Sequence, residues 1–219
     1  MSWRFVTCAA LFVTCLLTAN TIAAKLVSVG GLVLPAAVIV FPVSYVLADV
    51  LTEVWGYAAA RRVIWLGFAC NLLMVVAIWV GGEMPPAPVW TGQEAYRQIL
   101  GQTPRILVAS FLAYLAGEFA NAYVLARLKI LTRGRWLWTR TIGSTLVGQA
   151  LDSAVFIGLA FAGTVPVRVL AGIVGAQWAA KVLYEAAATP LTYAVVGWLK
   201  SSEGVDTFDH GTDFNPIRL

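Results

Sequence analysis

The sequence predicts an all-α polytopic membrane protein, a bundle of six transmembrane helices with cytoplasmic N- and C-termini. Its 219 residues are 60% hydrophobic and only 12% charged, and its mean hydropathy is +0.80, whereas about 25% of the residues in a soluble domain are charged. Apolar runs of about 20 residues recur, the helix length that crosses a bilayer core of roughly 30 Å. We therefore expect a transmembrane domain over residues 1–200 and a short, cytoplasmic, acidic tail over residues 201–219.

The first apolar run lies between Arg4 and Lys25 and predicts a helix over Ser2–Ala24. Its closing residues, TANTIAA, also suit a cleaved signal peptide, but the single arginine before the run disfavours that alternative. Five further runs give helices two to six, at Leu34–Tyr57, Val63–Val80, Pro104–Leu125, Thr141–Ala162 and Leu170–Trp198.

The connection between helices three and four, residues 81–103, is long enough to hold structure of its own. It contains MPPAPVW, followed by QEAYRQILGQ. A proline-rich turn and then a short interfacial helix are predicted. We expect this segment outside the membrane, where it can cap a cavity.

Prolines and glycines predict local features of the spans. Pro42 and Pro190 are expected to kink helices two and six. Small residues allow helices to approach closely. The glycines that fit this role are Gly143, Gly148, Gly172 and Gly175.

The basic residues predict the orientation of the bundle. With the N-terminus inside, ten lysines and arginines fall in inside segments, four fall outside, and Lys181 lies within the membrane. This asymmetry follows the positive-inside rule. The run RLKILTRGRWLWTR, residues 127–140, contributes most to it. We interpret this run as an anchor on anionic lipid rather than as a nucleic-acid site.

Besides Arg4 and Arg105 at the ends of spans, six residues with charged side chains fall inside the predicted spans, and five of the six are acids. A charged residue at a helix centre costs roughly 2.5 to 3.5 kcal/mol, so such residues are paired, protonated or solvated in a polar cavity. Spacings of three or four residues place several of them on shared helix faces. The predicted substrate-binding residues are Asp49, Glu53, Glu118, Asn121, Gln149, Asp152, Lys181, Tyr184 and Glu185.

Two structural alternatives compete with a binding site. Polar pairs can simply hold helices together, at about 0.6 kcal/mol each. Lys181 and Glu185, four residues apart, can form an ion pair within helix six. Gln177 lies on the same stripe of that helix, and Trp178 and Tyr184 are placed to stack on a planar ligand or to serve in packing.

The predicted spans lack the residues that hydrolytic enzymes and metal sites usually require. The only histidine is His210, beyond the last span, so no buried Ser/His or metal–His arrangement is available. Cysteines 8, 15 and 70 lie in apolar runs without metal-binding spacing, as small core residues do. We expect no enzyme, no catalytic residue, no metal and no cofactor.

The tail VDTFDHGTDFNP brings several ligand-type residues close together. They are Asp206, Asp209, His210 and Asp213. A cation site is one interpretation, and a solvated acidic tail is the other and the one we favour.

Five motifs resemble the queuosine-precursor transporter family, also called vitamin-uptake-transporter-like. The resemblance extends in order over nearly the whole chain, although the closing NPIRL lacks an expected aromatic residue after the proline. The motifs are YVLADVLTEVWGY (45–57), AYLAGEFANAYVLARLK (113–129), RTIGSTLVGQALDSAVF (140–156), KVLYEAAATPLTY (181–193) and TDFNP (212–216).

The resemblance implies import of the 7-deazaguanines preQ0 and preQ1, precursors of queuosine in tRNA, across the bacterial inner membrane. Glu118 or Asp152 would then accept hydrogen bonds from the donor edge of the heterocycle, while the Gln149 and Asn121 amides or Lys181 donate to its acceptors. Asp49 or Glu53 would balance the aminomethyl cation of preQ1.

The expected partners are this small-molecule substrate and the lipid bilayer, with no nucleic acid. A homodimer is a further possible partner; small residues such as Ala19 and Ala23 suit a homodimer face, but alanine is too common in this chain to count as evidence for one. The rival functions are a substrate-capturing subunit of an energy-coupling-factor importer, which needs ATPase partners, and a membrane enzyme that acts on lipid headgroups.

Overall fold

The computed structural model describes residues 2–23, 25–29, 32–101, 104–161, 163 and 166–218. Within these ranges the chain is helical apart from one short hairpin, a 3-10 turn and the connecting segments, so the predicted all-helical class is confirmed. The helices are α1 Trp3–Ile22, α2 Phe41–Trp55, α3 Tyr57–Glu83, α4 Gln93–Leu100, α5 Pro104–Leu131, α6 Leu137–Phe161 and α7 Val167–Glu203.

The segment before α2 differs from the prediction. Residues Leu26–Val29 (β1) and Leu32–Pro35 (β2) form an antiparallel hairpin, and Ala36–Ile39 form a 3-10 turn. The strands are rich in valine and leucine, and β-branched residues favour extended backbone. The predicted start of helix two at Leu34 is therefore wrong.

Helix α2 begins at Phe41, which places Pro42 in its first turn. A proline is tolerated there because the amide hydrogen it lacks would have no partner within the helix. The predicted kink at Pro42 is therefore wrong. Pro190, by contrast, lies inside the 37-residue helix α7.

Helices α2 and α3 are separated by a single residue, Gly56. Its φ of +84° lies in a region that glycine adopts at low cost, and a Cβ there would lie only 2.8 Å from Thr207 Cγ2. Helix α3 starts directly afterwards at Tyr57, six residues before the predicted start. This one-residue connection between α2 and α3 is possible only because position 56 has no side chain.

The residues after α7 pack against the bundle. The Asp209 carboxylate accepts two hydrogen bonds from the Tyr57 amide, at 3.1 and 3.0 Å, and so caps α3. Arg61 donates to the carbonyls of Asp213 and Asn215, at 2.8 and 2.7 Å. Because Asp209 is only 4% exposed, the prediction of a solvated tail is wrong at this residue.

The start of α1 and the end of α7 lie at the same end of the bundle. Arg4, at the start of α1, forms a 2.9 Å ion pair with Glu203, at the end of α7. We call this end, where α1, α3 and α6 begin and α2, α5 and α7 end, the terminal face. The short helix α4 lies at the opposite end, next to the end of α3, where Gln93 donates to the Gly82 carbonyl and Tyr96 to the Ile78 carbonyl.

Four helices of the described chain, α1, α3, α5 and α6, are long and apolar enough to cross a membrane. Large apolar side chains such as Leu73 and Leu183, 70% and 71% exposed, lie on the outer surface, as lipid contact requires. The protein is a multi-pass membrane protein. Crossing by α2, which has 15 residues, and by α7 stays a prediction.

Neither of the two alanines considered for a homodimer face lies on the outer surface. Ala19 is completely buried within the bundle, and Ala23 lines the internal cavity. A homodimer stays a prediction without an identified face.

Candidate functional site

A cavity of about 490 Å³ lies inside the bundle and extends from its middle toward α4. Pockets for small molecules typically measure about 300 to 1,000 Å³. Four of the nine predicted binding residues line it, namely Glu118 on α5, Gln149 and Asp152 on α6, and Lys181 on α7. The structure thus brings together side chains that are up to 63 positions apart in the sequence.

Further polar and aromatic residues line the same cavity. Gln177, on the same stripe of α7 as Lys181, is one of them, and the predicted capping helix α4 contributes Gln98. The remaining members, which the sequence did not single out as binding residues, include Phe12, Asn20, Tyr45, Asn71, Tyr114 and Phe156. Asn20 and Asn71 are polar residues in apolar helices, and this was the sequence signal that could have placed them in a polar cavity. They form a 3.1 Å hydrogen bond with each other.

Lys181 and Asp152 form an ion pair between α7 and α6. The alternative prediction, a pair between Lys181 and Glu185 on one helix, is wrong. Spacing along α7 allows both geometries, but only the folded bundle places Asp152 opposite Lys181. The pair is partly exposed to the cavity, with side chains 16% and 25% accessible.

Glu118 differs from Asp152 because it forms no ion pair among the described residues. Its neighbour Asn121, one turn along α5, borders a second, much smaller space of about 10 Å³ that Glu118 also lines. Glu118 therefore reaches the main cavity on one side and the packed interior on the other. An unpaired carboxylate in a cavity wall is a strong hydrogen-bond acceptor.

Asp49, Asn121 and Glu185 lie together in the packed interior near Glu118. The two acids are each 1% exposed and the amide is 7% exposed. Asn121 Nδ2 donates to Asp49 Oδ1 at 2.8 Å. Asp49 lies within electrostatic range of both Glu185 and Glu118. These three predicted residues adjoin the cavity without lining it.

Several buried oxygens in and beside the cavity have no hydrogen-bond donor among the described residues. The atoms are Asp49 Oδ2, Asn121 Oδ1, Gln149 Oε1, Gln177 Oε1 and Glu185 Oε1. Buried polar atoms without a partner are uncommon in folded proteins. The two on residues that line the cavity, Gln149 Oε1 and Gln177 Oε1, therefore indicate a cavity suited to a guest that carries hydrogen-bond donors.

Glu53 lies outside the cavity, in an ion cluster at the terminal face. It is completely buried and accepts hydrogen bonds from Arg140 at 2.7 and 3.1 Å and from Lys200 at 2.7 Å. Lys129 and Lys200 also contact Asp206 of the tail, at 2.6 and 2.8 Å. Burial tends to raise the pKa of Asp206, but the hydrogen bonds from the two lysines outweigh it and hold that pKa below its ordinary value.

Sequence reasoning assigned Lys129 and Arg140 to a lipid anchor, yet each is only 1% exposed. Their position at the ends of apolar runs is equally typical of surface anchors, so the sequence carried no signal that separates the two roles. The partner that decides between them is Glu53, which comes from a different helix.

Tyr184 and Trp178 do not line the cavity. Tyr184 is 43% exposed on the outer surface. Trp178 Nε1 donates to the Leu146 carbonyl on α6 at 2.9 Å, which is a packing role. The aromatic walls of the cavity come from other helices.

The chain matches, over residues 35–195, the model of a family described as "Putative vitamin uptake transporter". The chain belongs to this family. It is 30% identical over 186 residues to the "Probable queuosine precursor transporter" of Bacillus subtilis (strain 168), covering 84% of this chain and 81% of that protein. It is 30% identical over 121 residues to the "Queuosine precursor transporter" of Escherichia coli (strain K12), covering 55% and 52%. No solved structure matches.

These matches confirm the family that the sequence motifs suggested. As a member of a transporter family, the protein is a membrane transporter and not an enzyme. The rival interpretation as an enzyme that acts on lipid headgroups is therefore excluded.

Proposed function

We propose that this transporter imports queuosine precursors, the 7-deazaguanines preQ0 and preQ1, across the bacterial inner membrane. The relatives' names supply the substrate class. In this chain, the observation that supports the proposal is the cavity, because Glu118, Gln149 and Gln177 line it together with the Asp152–Lys181 ion pair. The proposed binding residues are those five.

The chemistry of this wall fits a guanine-like edge. Such an edge presents a ring N–H and an exocyclic amine side by side, and a carboxylate can accept both hydrogen bonds. Glu118 suits this role because none of the described basic residues pairs with it. The Gln149 and Gln177 oxygens accept further donors, and Lys181 can donate to the ring carbonyl.

The faces of the ring need apolar contact. Phe12, Tyr114 and Phe156 lie in the cavity wall on three different helices. Aromatic side chains prefer offset-stacked or edge-to-face contact with another ring. A flat heterocycle therefore finds both edge and face contacts in one cavity.

Transport further requires that the cavity open alternately to the two sides. We propose that α2 and α7 cross the membrane together with α1, α3, α5 and α6, and that the terminal face is cytoplasmic. In this orientation the cavity extends toward the outer end of the bundle, where α4 lies. The Glu53 ion cluster and the tail lie at the cytoplasmic end and block access to the cavity from that side. The structure would then represent a state with its inner end closed.

The test is restoration of queuosine-modified tRNA in bacterial cells that lack precursor synthesis and are supplied with preQ0 or preQ1. We expect the wild-type chain to restore modification. Glu118→Gln keeps the size of the side chain but removes the charge, so uptake should fall roughly 10- to 100-fold if a charged hydrogen bond of about 1.5 to 3 kcal/mol is lost. Glu94→Gln, the same change on exposed α4, is the matched control and should behave as wild type.

Failure of the wild-type chain to restore modification would overturn the proposal. Full uptake by Glu118→Gln would remove that residue from the site. Uptake by the purified chain alone in proteoliposomes separates an independent transporter from a capturing subunit, since a capturing subunit is inactive without its ATPase partners.

A further inference from the structure

The Asp49, Asn121 and Glu185 cluster, on α2, α5 and α7, is not explained by contact with the substrate, because none of the three lines the main cavity. Both of its carboxylates are 1% exposed, whereas the Asp152 and Lys181 side chains in the cavity wall are 25% and 16% accessible. Asn121 is itself nine-tenths buried, and its Oδ1 lacks a donor among the described residues, as do Asp49 Oδ2 and Glu185 Oε1. Three buried oxygens without a donor need a ligand that supplies one.

The basic groups near this cluster are already paired. Lys181 pairs with Asp152, the terminal-face cations pair with Glu53 and Asp206, and Arg61 donates to the tail carbonyls. No described lysine or arginine forms an ion pair with Asp49 or Glu185. Titratable and charged groups on the elements packed around the cluster include Cys8 and Cys15 (α1), Tyr45 and Glu53 (α2), Tyr57, Arg61 and Cys70 (α3), Tyr114, Glu118 and Lys129 (α5), Arg140 and Asp152 (α6), and Lys181 and Lys200 (α7).

Two ionised carboxylates in this position would be unfavourable for two reasons. Each would be removed from water without an opposite charge, and the two would repel each other. One proton relieves both costs, because it reduces the charge of the pair from −2 to −1 and provides an O–H that can donate to a neighbouring oxygen. The site thus favours occupation by a single proton.

We infer that Asp49 and Glu185 form a shared proton-binding site and that one proton accompanies the substrate through the membrane. The inference rests on the proposed function, since it assigns the coupling ion of the same transporter. The proton binds a carboxylate oxygen of the pair from the outer side, and it leaves to the cytoplasm when the inner end opens.

The donor set favours a proton over a metal ion. Hard cations such as Ca²⁺ and Mg²⁺ take six or more oxygen ligands, whereas this cluster offers three unpartnered oxygens. Within the described ranges, no group of three or more histidine, cysteine or acidic residues is arranged to hold a metal ion.

Two contacts connect the proton site to the parts that must move. Asn121 bonds Asp49 and lies one turn from Glu118 of the cavity wall. On α7, the Glu185 carbonyl accepts a 2.9 Å hydrogen bond from Thr189 Oγ1, next to Pro190, where the helix lacks one backbone hydrogen bond. Protonation can therefore act on the substrate wall through α5 and on the weak point of α7.

The experiment uses purified full-length protein in proteoliposomes with labelled preQ0. This probe is uncharged, so the imposed pH gradient does not by itself change its distribution across the membrane. Two assays are compared: accumulation driven by an acidic exterior, and exchange of labelled for unlabelled preQ0 at equal pH. Wild type should accumulate preQ0 at least tenfold above equilibrium, and a protonophore should abolish the accumulation. Asp49→Asn and Glu185→Gln should lose accumulation but keep exchange, and Glu203→Gln should behave as wild type.

The outcomes separate the two proposals. Exchange by wild type without any effect of the pH gradient overturns the proton site and leaves the proposed function intact. Accumulation driven by sodium instead of protons, or unchanged accumulation by both variants, also overturns the proton site. Absence of any exchange by wild type overturns the proposed function and this inference with it. If the variants do not fold, wild-type accumulation with and without the gradient still decides the coupling.

Discussion

At the scale of single residues, three glutamates of similar sequence context take three different environments. Glu53 contacts two cations within hydrogen-bonding distance, Glu118 lines the cavity, and Glu185 is buried within electrostatic range of Asp49. All three lie in apolar helices, so hydropathy cannot distinguish them. The environment of each depends on which helix lies opposite, and that is decided by packing.

A charge deletion in the cavity wall tests the Asp152–Lys181 pair. Lys181→Gln should destabilise the protein by about 1.5 to 3 kcal/mol, the usual contribution of a hydrogen bond to a charged group, because Asp152 is left without its partner. The double variant Asp152→Asn with Lys181→Gln should recover most of that loss. Thermal unfolding in detergent measures the stability of both variants.

Uptake of preQ0 by the double variant gives a second result. If Asp152 or Lys181 contacts the substrate, stability returns while uptake does not. Recovery of both would assign the pair a purely structural role and remove these two residues from the proposed binding site.

At the scale of elements, the glycines show that sequence spacing does not determine which helix positions lie at a close helix–helix contact. A Cβ on Gly148 would lie 2.8 Å from Asn121 Cβ and 2.9 Å from the Gly117 carbonyl oxygen, so α5 and α6 approach closely here. Among the described residues, no heavy atom lies within 4 Å of a Cβ built on Gly172 or Gly175, so the prediction that these two glycines serve close packing is wrong for the described part of the chain. Nothing in the local sequence distinguishes the two cases, because the neighbouring helix is absent from it.

Gly148→Ala should therefore push α5 and α6 apart and shift Asn121. We expect a loss of about 1 to 3 kcal/mol, typical of overpacking, seen as a lower unfolding temperature in detergent. Gly172→Ala is the matched control and should be neutral or slightly stabilising, since alanine has the higher helix propensity. Equal effects of the two substitutions would contradict the close approach at Gly148.

The starts of helices were predicted less well than their existence. Helices α2 and α3 begin seven residues later and six residues earlier than predicted, at Phe41 and Tyr57. The reasons are the hairpin before α2 and the cap that Asp209 gives to α3 from 152 positions away. A helix end fixed by a distant residue cannot be located from its own sequence.

At the scale of the whole molecule, the terminal face is held by one charged cluster. Glu53 on α2, Lys129 on α5, Arg140 on α6, Lys200 on α7 and Asp206 on the tail contact one another. The cluster ties four helices and the tail together at the end away from the cavity. Its loss should affect the entire fold rather than the binding site.

Glu53→Gln is expected to destabilise the protein strongly, by about 3 to 5 kcal/mol, because it leaves buried cations without their counter-charge. Glu203→Gln, which breaks the surface pair with Arg4, is the control and should change stability far less. Unfolding temperatures of the two variants in detergent provide the comparison. A Glu53→Gln variant as stable as wild type would show that the cluster does not hold the terminal face together.

The sequence by itself determined the membrane class, the helices and the family, because composition, apolar run length and motif order are properties of contiguous residues. It also selected the correct side-chain types for a polar interior. Only the tertiary structure decided that Glu118, Gln149, Asp152 and Lys181 share a cavity, that Glu53 belongs to an ion cluster and that Asp49 and Glu185 are buried within electrostatic range of each other. The physical reason is that an electrostatic partner is fixed by the rotation and packing of another helix, and spacing along one helix gives only the face on which a residue lies.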